Sequence, residues 1–310
     1  MPLFYNTFET ALRFFPSHSD CRKRLTTIDT QYNPECYKKS IFFFEFREEV
    51  GQIRLFGIVL LPRYLKIGQM NFDVACYSEQ GGRPVNEDAV FAAGTPGTLL
   101  ALVADGLGGM GHGDLASRDA AEHLSRLSAH PVDEDMLCGA IQEENRRIWD
   151  MHTDGNQMMT TVAVLWADGT EAFAANVGDT RLYQFRNGQV AFQTIDHSVA
   201  QLSVFSGEIT QAQLRGYAGR NHLLRALGAE EEVQVELNDL EIQPGDRFLL
   251  CSDGFWELIL EEEMLSWGGE DTAAQWLERM KALAISRCGA QGDNHSAIAI
   301  VVTEGTEDAN

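Results

Sequence analysis

Two tight-turn dipeptides constrain this chain more than any other feature. Residues 161–166 and 171–177 flank Asp168-Gly169, and residues 181–186 and 189–194 flank Asn187-Gly188. Such dipeptides between apolar or alternating runs select two-residue hairpins, because their residues tolerate positive φ. The middle of the chain is therefore expected to be antiparallel sheet. Further strands are expected at 72–77, 233–237, 247–251 and 297–302. The nearly continuous apolar run 98–104, ending at Asp105, suits a buried strand.

Helical periodicity appears in three places. Residues 115–127 put Ala116, Ala120, Leu124 and Leu127 on one face, 135–151 form a second amphipathic stretch, and 272–287 lie between the last two strands. Antiparallel strands with two groups of amphipathic helices predict an α+β fold. It is an antiparallel β-sandwich flanked by α-helices on both sides.

Charge divides the chain and excludes some partners. Residues 1–69 carry 10 Lys and Arg against 7 Asp and Glu, leaving 14 against 39 for the remainder. The first segment lacks clear periodicity, so the organisation reads as an N-terminal extension (1–69), a patterned domain (70–303) and a tail (304–310). A net charge of −22 argues against nucleic acid, whose phosphates need Lys and Arg. Residues 55–62, the longest apolar stretch near the N-terminus, are too short to span a bilayer, so no membrane insertion is expected. No secretory leader pattern opens the chain, and the expected location is cytoplasmic. Six cysteines without CxxC pairing predict no disulfide framework and no thiolate zinc site, with Cys251 buried and reduced.

Four acidic motifs sit at turns: RPVNEDAVF (83–91), VADGLGG (103–109), CSDG (251–254) and GDN (292–294). Asp and Gly favour turns for local backbone reasons, so each motif alone is a weak signal. At the strand ends of one sheet system, however, Asp88, Asp105, Asp253 and Asp293 could share a rim. Their oxygens suit Mg²⁺ or Mn²⁺, which bind through carboxylates and retain waters.

In this order and spacing, and with MTTVAVLW, ANVGDTRLY, LLRALG, GDRFLLCSDGFWE and GDNHSAIAIVV, the chain resembles the metal-dependent serine/threonine protein phosphatases of type 2C. The resemblance covers about 70–303, and the CSDGFWE wording is similar to members associated with type VI secretion. It implies two Mg²⁺ or Mn²⁺ ions held by Asp88, Asp105 and Asp253, with Asp293 on one ion and the Gly106 carbonyl on the other. Glu87 would hold a metal-bound water, a bridging hydroxide would attack phosphorus, and Arg83 would bind phosphate. The implied substrates are phosphoserine and phosphothreonine proteins, and the implied partner is an opposing Ser/Thr kinase.

Two departures from the family pattern stand out. Many bacterial members read DGMGGH, whereas this chain has Met110 at the histidine position and His112 two residues later. His112 is the candidate general acid. The aspartate associated with a third metal is replaced by Asn156, leaving Asp154 and Asp179 as candidates for that ion. His197 and His295 are expected to be structural or superficial. Residues 196–220 fall in the family's variable flap, as a recognition loop or a solvated helix-loop. The competing reading is a catalytically silent metal-binding regulator on the same fold.

Overall fold

The computed structural model describes residues 63–67, 70–95, 98–108, 112–129, 131–153, 157–168, 171–267, 269 and 271–304. Two antiparallel sheets face one another. One has six strands in the order β1-β2-β11-β10-β7-β8, and the other has five in the order β3-β4-β5-β6-β9. Their ranges are β1 Arg63–Ile67, β2 Met70–Glu79, β3 Asp88–Thr95, β4 Thr98–Asp105, β5 Val162–Ala167, β6 Glu171–Val177, β7 Arg181–Arg186, β8 Gln189–Gln193, β9 Glu236–Glu241, β10 Arg247–Cys251 and β11 His295–Glu304. The described helices are α1 Gly113–Leu124, α2 Glu134–Asp150, α3 Val199–Phe205, α4 Asp253–Trp256, α5 Glu261–Ser266 and α6 Ala273–Arg287, with 3₁₀ turns at Ser125–Ala129 and Gln211–Gly216.

Strand alternation sorts the apolar side chains into three layers. In β4, Leu99, Ala101 and Val103 point into the seam between the sheets, where they meet Phe248, Leu250, Ile298 and Ile300. Their neighbours Leu100, Leu102 and Ala104 point outward onto Ala116, Ala120 and Leu124 of α1 and Ile141 of α2. Leu249 of β10 with Ala297 and Ala299 of β11 similarly carry Trp276, Met280 and Ala284 of α6. Central strands are thus apolar on both faces, which explains the uninterrupted run. Each fully buried leucine stabilises by about 1.5–3 kcal/mol. Asp133 caps α2 by accepting from the Met136 N–H at 2.8 Å, and Thr272 with Gln275 forms a capping box on α6.

The β7–β8 hairpin turns through Asn187 (φ 51°) and Gly188 (φ 71°), as its dipeptide requires. The strand expected at 233–237 is instead β9, Glu236–Glu241, at the edge of the five-stranded sheet. Val233, Val235 and Leu237 pack against the α1–α2 core, and of the three only Leu237 is also paired, opposite Ala175 of β6, so the alternation before β9 reflects packing. β3 is an additional strand beginning at the NED motif itself. β1 lies within the 1–69 segment, pairing with β2. Cys251 is fully buried and free, and Cys76 is free and buried at 8% exposure, while Cys21 and Cys36 lie outside the described residues. No described helix is long and apolar enough to cross a membrane.

Candidate metal centre

The four aspartates lie at strand ends drawn from both of the facing sheets. Asp88 opens β3 and Asp105 closes β4, directly opposite each other in register. From the six-stranded sheet, Asp253 begins α4 just beyond β10, and Asp293 precedes β11. The Asp105 and Asp253 carboxyls lie within hydrogen-bonding reach of each other, a contact that raises Asp105 and lowers Asp253. Asp88 accepts from the Ser252 hydroxyl at 2.8 Å through Oδ2, whereas its buried Oδ1 has no hydrogen-bond partner.

The surrounding loops are tied by short polar contacts. Asn294 accepts from the Glu87 N–H at 2.9 Å and donates to the Gln80 and Val85 carbonyls at 2.7 and 3.0 Å. One side chain therefore aligns the NED and GDN motifs. The Gly106 N–H donates to the Glu87 carbonyl at 3.0 Å, and a Cβ at Gly106 would lie 2.2 Å from the Gly113 carbonyl oxygen. Only glycine fits this approach of the β4 end to the start of α1. The Glu87 carboxylate lies near the Asp114 N–H in the first turn of that helix, where the helix dipole favours an anion. Arg83, 53% exposed, donates through Nη2 to Asp293 Oδ2 at 2.6 Å.

The electrostatics are one-sided. Burial, followed by neighbouring carboxylates, pushes Asp88 up to about 7 and Asp253 up to about 6. Burial and Asp88 hold Asp105 well above the usual carboxylate range, and burial with Asp253 does the same for Asp179. Burial also raises Glu87. Buried anions that disfavour one another need a cation.

As the side chains stand, no three described Asp, Glu, His or Cys residues close around a single point. The donor set nevertheless fits a hard divalent ion. It is all oxygen, it includes the unpartnered Asp88 Oδ1, and its carboxylates are held out of water beside each other.

Of the remaining candidates, Asp179 joins this group: it is buried in the β6–β7 turn and feels Asp253. His112 is exposed at the N-cap of α1 with φ 63°, next to the Gly113 that abuts Gly106, and its side chain does not cap the helix. Asp154 and Asn156 lie outside the described residues. His197 and His295 are both buried: His197 Nδ1 accepts from the Gly178 N–H at 3.1 Å, and His295 Nδ1 lies 2.8 Å from the Tyr77 hydroxyl. The segment 196–220 includes α3 and the 3₁₀ turn, and its Arg220 pairs with Glu257. Arg220 also lies close enough to Asp253 and Asp293 to feel their charge, a placement no sequence signal disclosed.

Comparison with known proteins identifies the family. Serine/threonine phosphatase stp of Listeria welshimeri is 36% identical over 176 residues, which is 53% of this chain and 69% of that protein. Serine/threonine protein phosphatase PstP of Mycobacterium tuberculosis is 30% identical over 72% of this chain and 42% of its own length. The catalytic domain of PstP, solved in complex with two manganese ions, superposes with a TM-score of 0.66 at 29% identity, covering 76% of this chain and all of that one. PppA of Pseudomonas aeruginosa, described as a key regulatory component of the type VI secretion system, gives 0.64 at 27% identity over 77% of this chain and all of PppA. The family profile for protein phosphatase 2C matches residues 78–291. Sheets, helices and profile agree, and the chain belongs to the protein phosphatase 2C family of serine/threonine phosphatases.

Proposed function

We propose that the chain hydrolyses phosphoserine and phosphothreonine at the rim built by Asp88, Asp105, Asp253 and Asp293, with Glu87 and the Gly106 carbonyl completing the set for two Mg²⁺ or Mn²⁺ ions. The observation that carries this reading is the buried, mutually repelling carboxylate group with one oxygen of Asp88 unpartnered. When bound, such ions supply Lewis-acid stabilisation of phosphoryl oxygens and lower the pKa of a water. Phosphate-monoester hydrolysis demands barrier reductions on the order of 20 kcal/mol, so charge stabilisation must dominate.

The chain's own residues divide the remaining work. Arg83 is the exposed cation beside Asp293, and its planar guanidinium offers two donors to a phosphoryl group. Glu87, beside the α1 N-terminus, orients a water as acceptor. His112 is the proposed proton donor to the departing serine or threonine oxygen. Asp179, with Asp154, is the candidate for a third ion. In this reading the protein works in the cytoplasm, against a Ser/Thr kinase. Cell fractionation checks the location.

The test is Mn²⁺-dependent phosphate release from a phosphothreonine peptide by wild type, Asp105→Asn and Asp253→Asn. We expect kcat to fall on the order of 10³ in each variant. Equal turnover in all three would remove the carboxylates from the mechanism. A wild type that binds Mn²⁺ without turning over would favour a silent regulator. In the same assay His112→Gln should lower kcat with KM held, and an unchanged kcat would withdraw its assignment.

A further inference from the structure

Asp179 and Asp253 belong to different elements, and the sheet does not set their separation. The β7–β10 ladder ends at the Arg181–Cys251 pair. Asp179 lies two residues before that end and Asp253 two residues after it, so both carboxylates stand beyond the hydrogen-bonded register. The chain at Asp179 is also passing from β6 in one sheet to β7 in the other.

One side chain bridges this gap. Trp256, in the single turn of helix that Asp253 opens, donates from Nε1 to the Asp179 carbonyl at 2.9 Å. The indole is 2% exposed, and the Arg181 guanidinium carbon lies 3.5 Å from its ring centroid. Arg181 is fixed in turn by two bonds to Asp196, from Nε at 2.8 Å and Nη2 at 2.7 Å, and by a third from Nη1 to the Tyr183 hydroxyl at 2.8 Å. A planar cation held by three bonds and stacked on a ring leaves that ring little freedom to turn.

We propose that Trp256, braced by Arg181 and Asp196, is a positioning residue that fixes Asp179 against Asp253 for cation binding. This rests on the reading of Asp253 and Asp179 as cation ligands. Any buried indole N–H needs an acceptor, and here the acceptor is the backbone of a residue that feels the charge of Asp253.

The experiment compares wild type, Trp256→Phe, Asp179→Asn and the double variant, with Asp253→Asn as a check on the underlying reading. Mn²⁺ binding is read by titration calorimetry, and kcat and KM are measured on a phosphothreonine peptide. Trp256→Phe keeps the ring over Arg181 and removes the donor. Its expected effects are weaker Mn²⁺ binding and a roughly tenfold lower kcat at unchanged KM, the scale of one lost hydrogen bond. Because the indole acts through Asp179, it should add no further loss on the Asp179→Asn background. Additive losses, or wild-type kcat and Mn²⁺ binding in Trp256→Phe, would overturn the proposal. Wild-type turnover by Asp253→Asn would instead overturn the reading beneath it. Should Trp256→Phe fold poorly, the Trp256 indole N–H resonance of the wild type serves: it should shift on Mg²⁺ addition, and an unresponsive signal overturns the proposal.

Discussion

Two groups of buried charge, one around Arg181 at the start of β7 and one at the ends of β3, β4 and β10, are balanced differently. Arg181 and Asp196, each 2% exposed at the side chain, form a two-bond pair completed by Tyr183. Asp88, Asp105 and Asp253 have no such cation among them, and burial drives all three toward their neutral forms. The same interior thus holds one group that is satisfied by the chain and another that awaits positive charge from outside. Other buried polar atoms also lack a hydrogen-bond partner, Asn71 Oδ1 and Asn176 Oδ1 among them, but among the described residues only in the second group do several buried carboxylates raise one another's pKa, and such clustering is what points to function.

The contrast predicts opposite responses to removal of a carboxylate. Asp196→Ala leaves Arg181 buried without its partner and should lower stability by about 3–5 kcal/mol. Asp105→Asn removes a mutually repelling charge and should raise the Tm of protein kept free of divalent ions. Adding Mn²⁺ should then stabilise the wild type and Asp196→Ala but leave Asp105→Asn nearly unmoved. Thermal unfolding with and without Mn²⁺ reads both variants. If both lose stability in metal-free buffer, the distinction between the two groups is wrong.

Glu144 on α2 is an intermediate case. It is fully buried, accepts from Arg147 Nε at 3.1 Å, and is pushed from its ordinary 4.5 up to about 8, chiefly by burial and then by Asp119. The folded chain therefore keeps a proton that the unfolded chain releases across this interval. Stability must fall as pH rises from about 4.5 to about 8, where the penalty is complete. Beside it, His123 is lowered by burial and acts in the opposite sense below its ordinary 6.5. Glu144→Gln should unfold at progressively higher temperature relative to wild type across that window, with no further divergence above it. A constant offset between the two Tm curves would show that Glu144 is compensated after all.

Most of the sheet was legible because its turns carry their own chemistry: the residues at 171–177, 181–186 and 247–251 form strands with the expected ends. β3 was hidden because Asp88-Ala-Val-Phe-Ala-Ala has neither clean alternation nor strong β-branching, and its strand character comes from pairing with β4. β9 was displaced for the converse reason, since the edge strand ELNDLE is polar while the apolar alternation before it serves the helix layer. At the candidate site the Asp–Gly turns could be read as oxygen ligands from residue type and order. The Trp256–Asp179 contact and the Arg181–Asp196 pair could not be, because each joins residues whose proximity exists only after the sheets close.

The smallest expected effect concerns charge that is neither buried nor paired. Residues 70–310 carry 14 basic against 39 acidic residues, and this excess acts through solvent on an approaching peptide. Phosphopeptides flanked by Lys or Arg should therefore show higher kcat/KM than acidic-flanked ones at low salt, by a few-fold given the screening of exposed charges. Arg83 and Arg220 stand at the rim and attract acidic groups locally, which works against the global field. Ionic strength separates the two contributions. At about 1 M salt the screening length is roughly 3 Å, so a preference carried by the distant surface disappears, while one carried by contact at the rim persists. Equal kcat/KM for both flanks at low and at high salt would mean that unpaired charge outside the site has no part in selection.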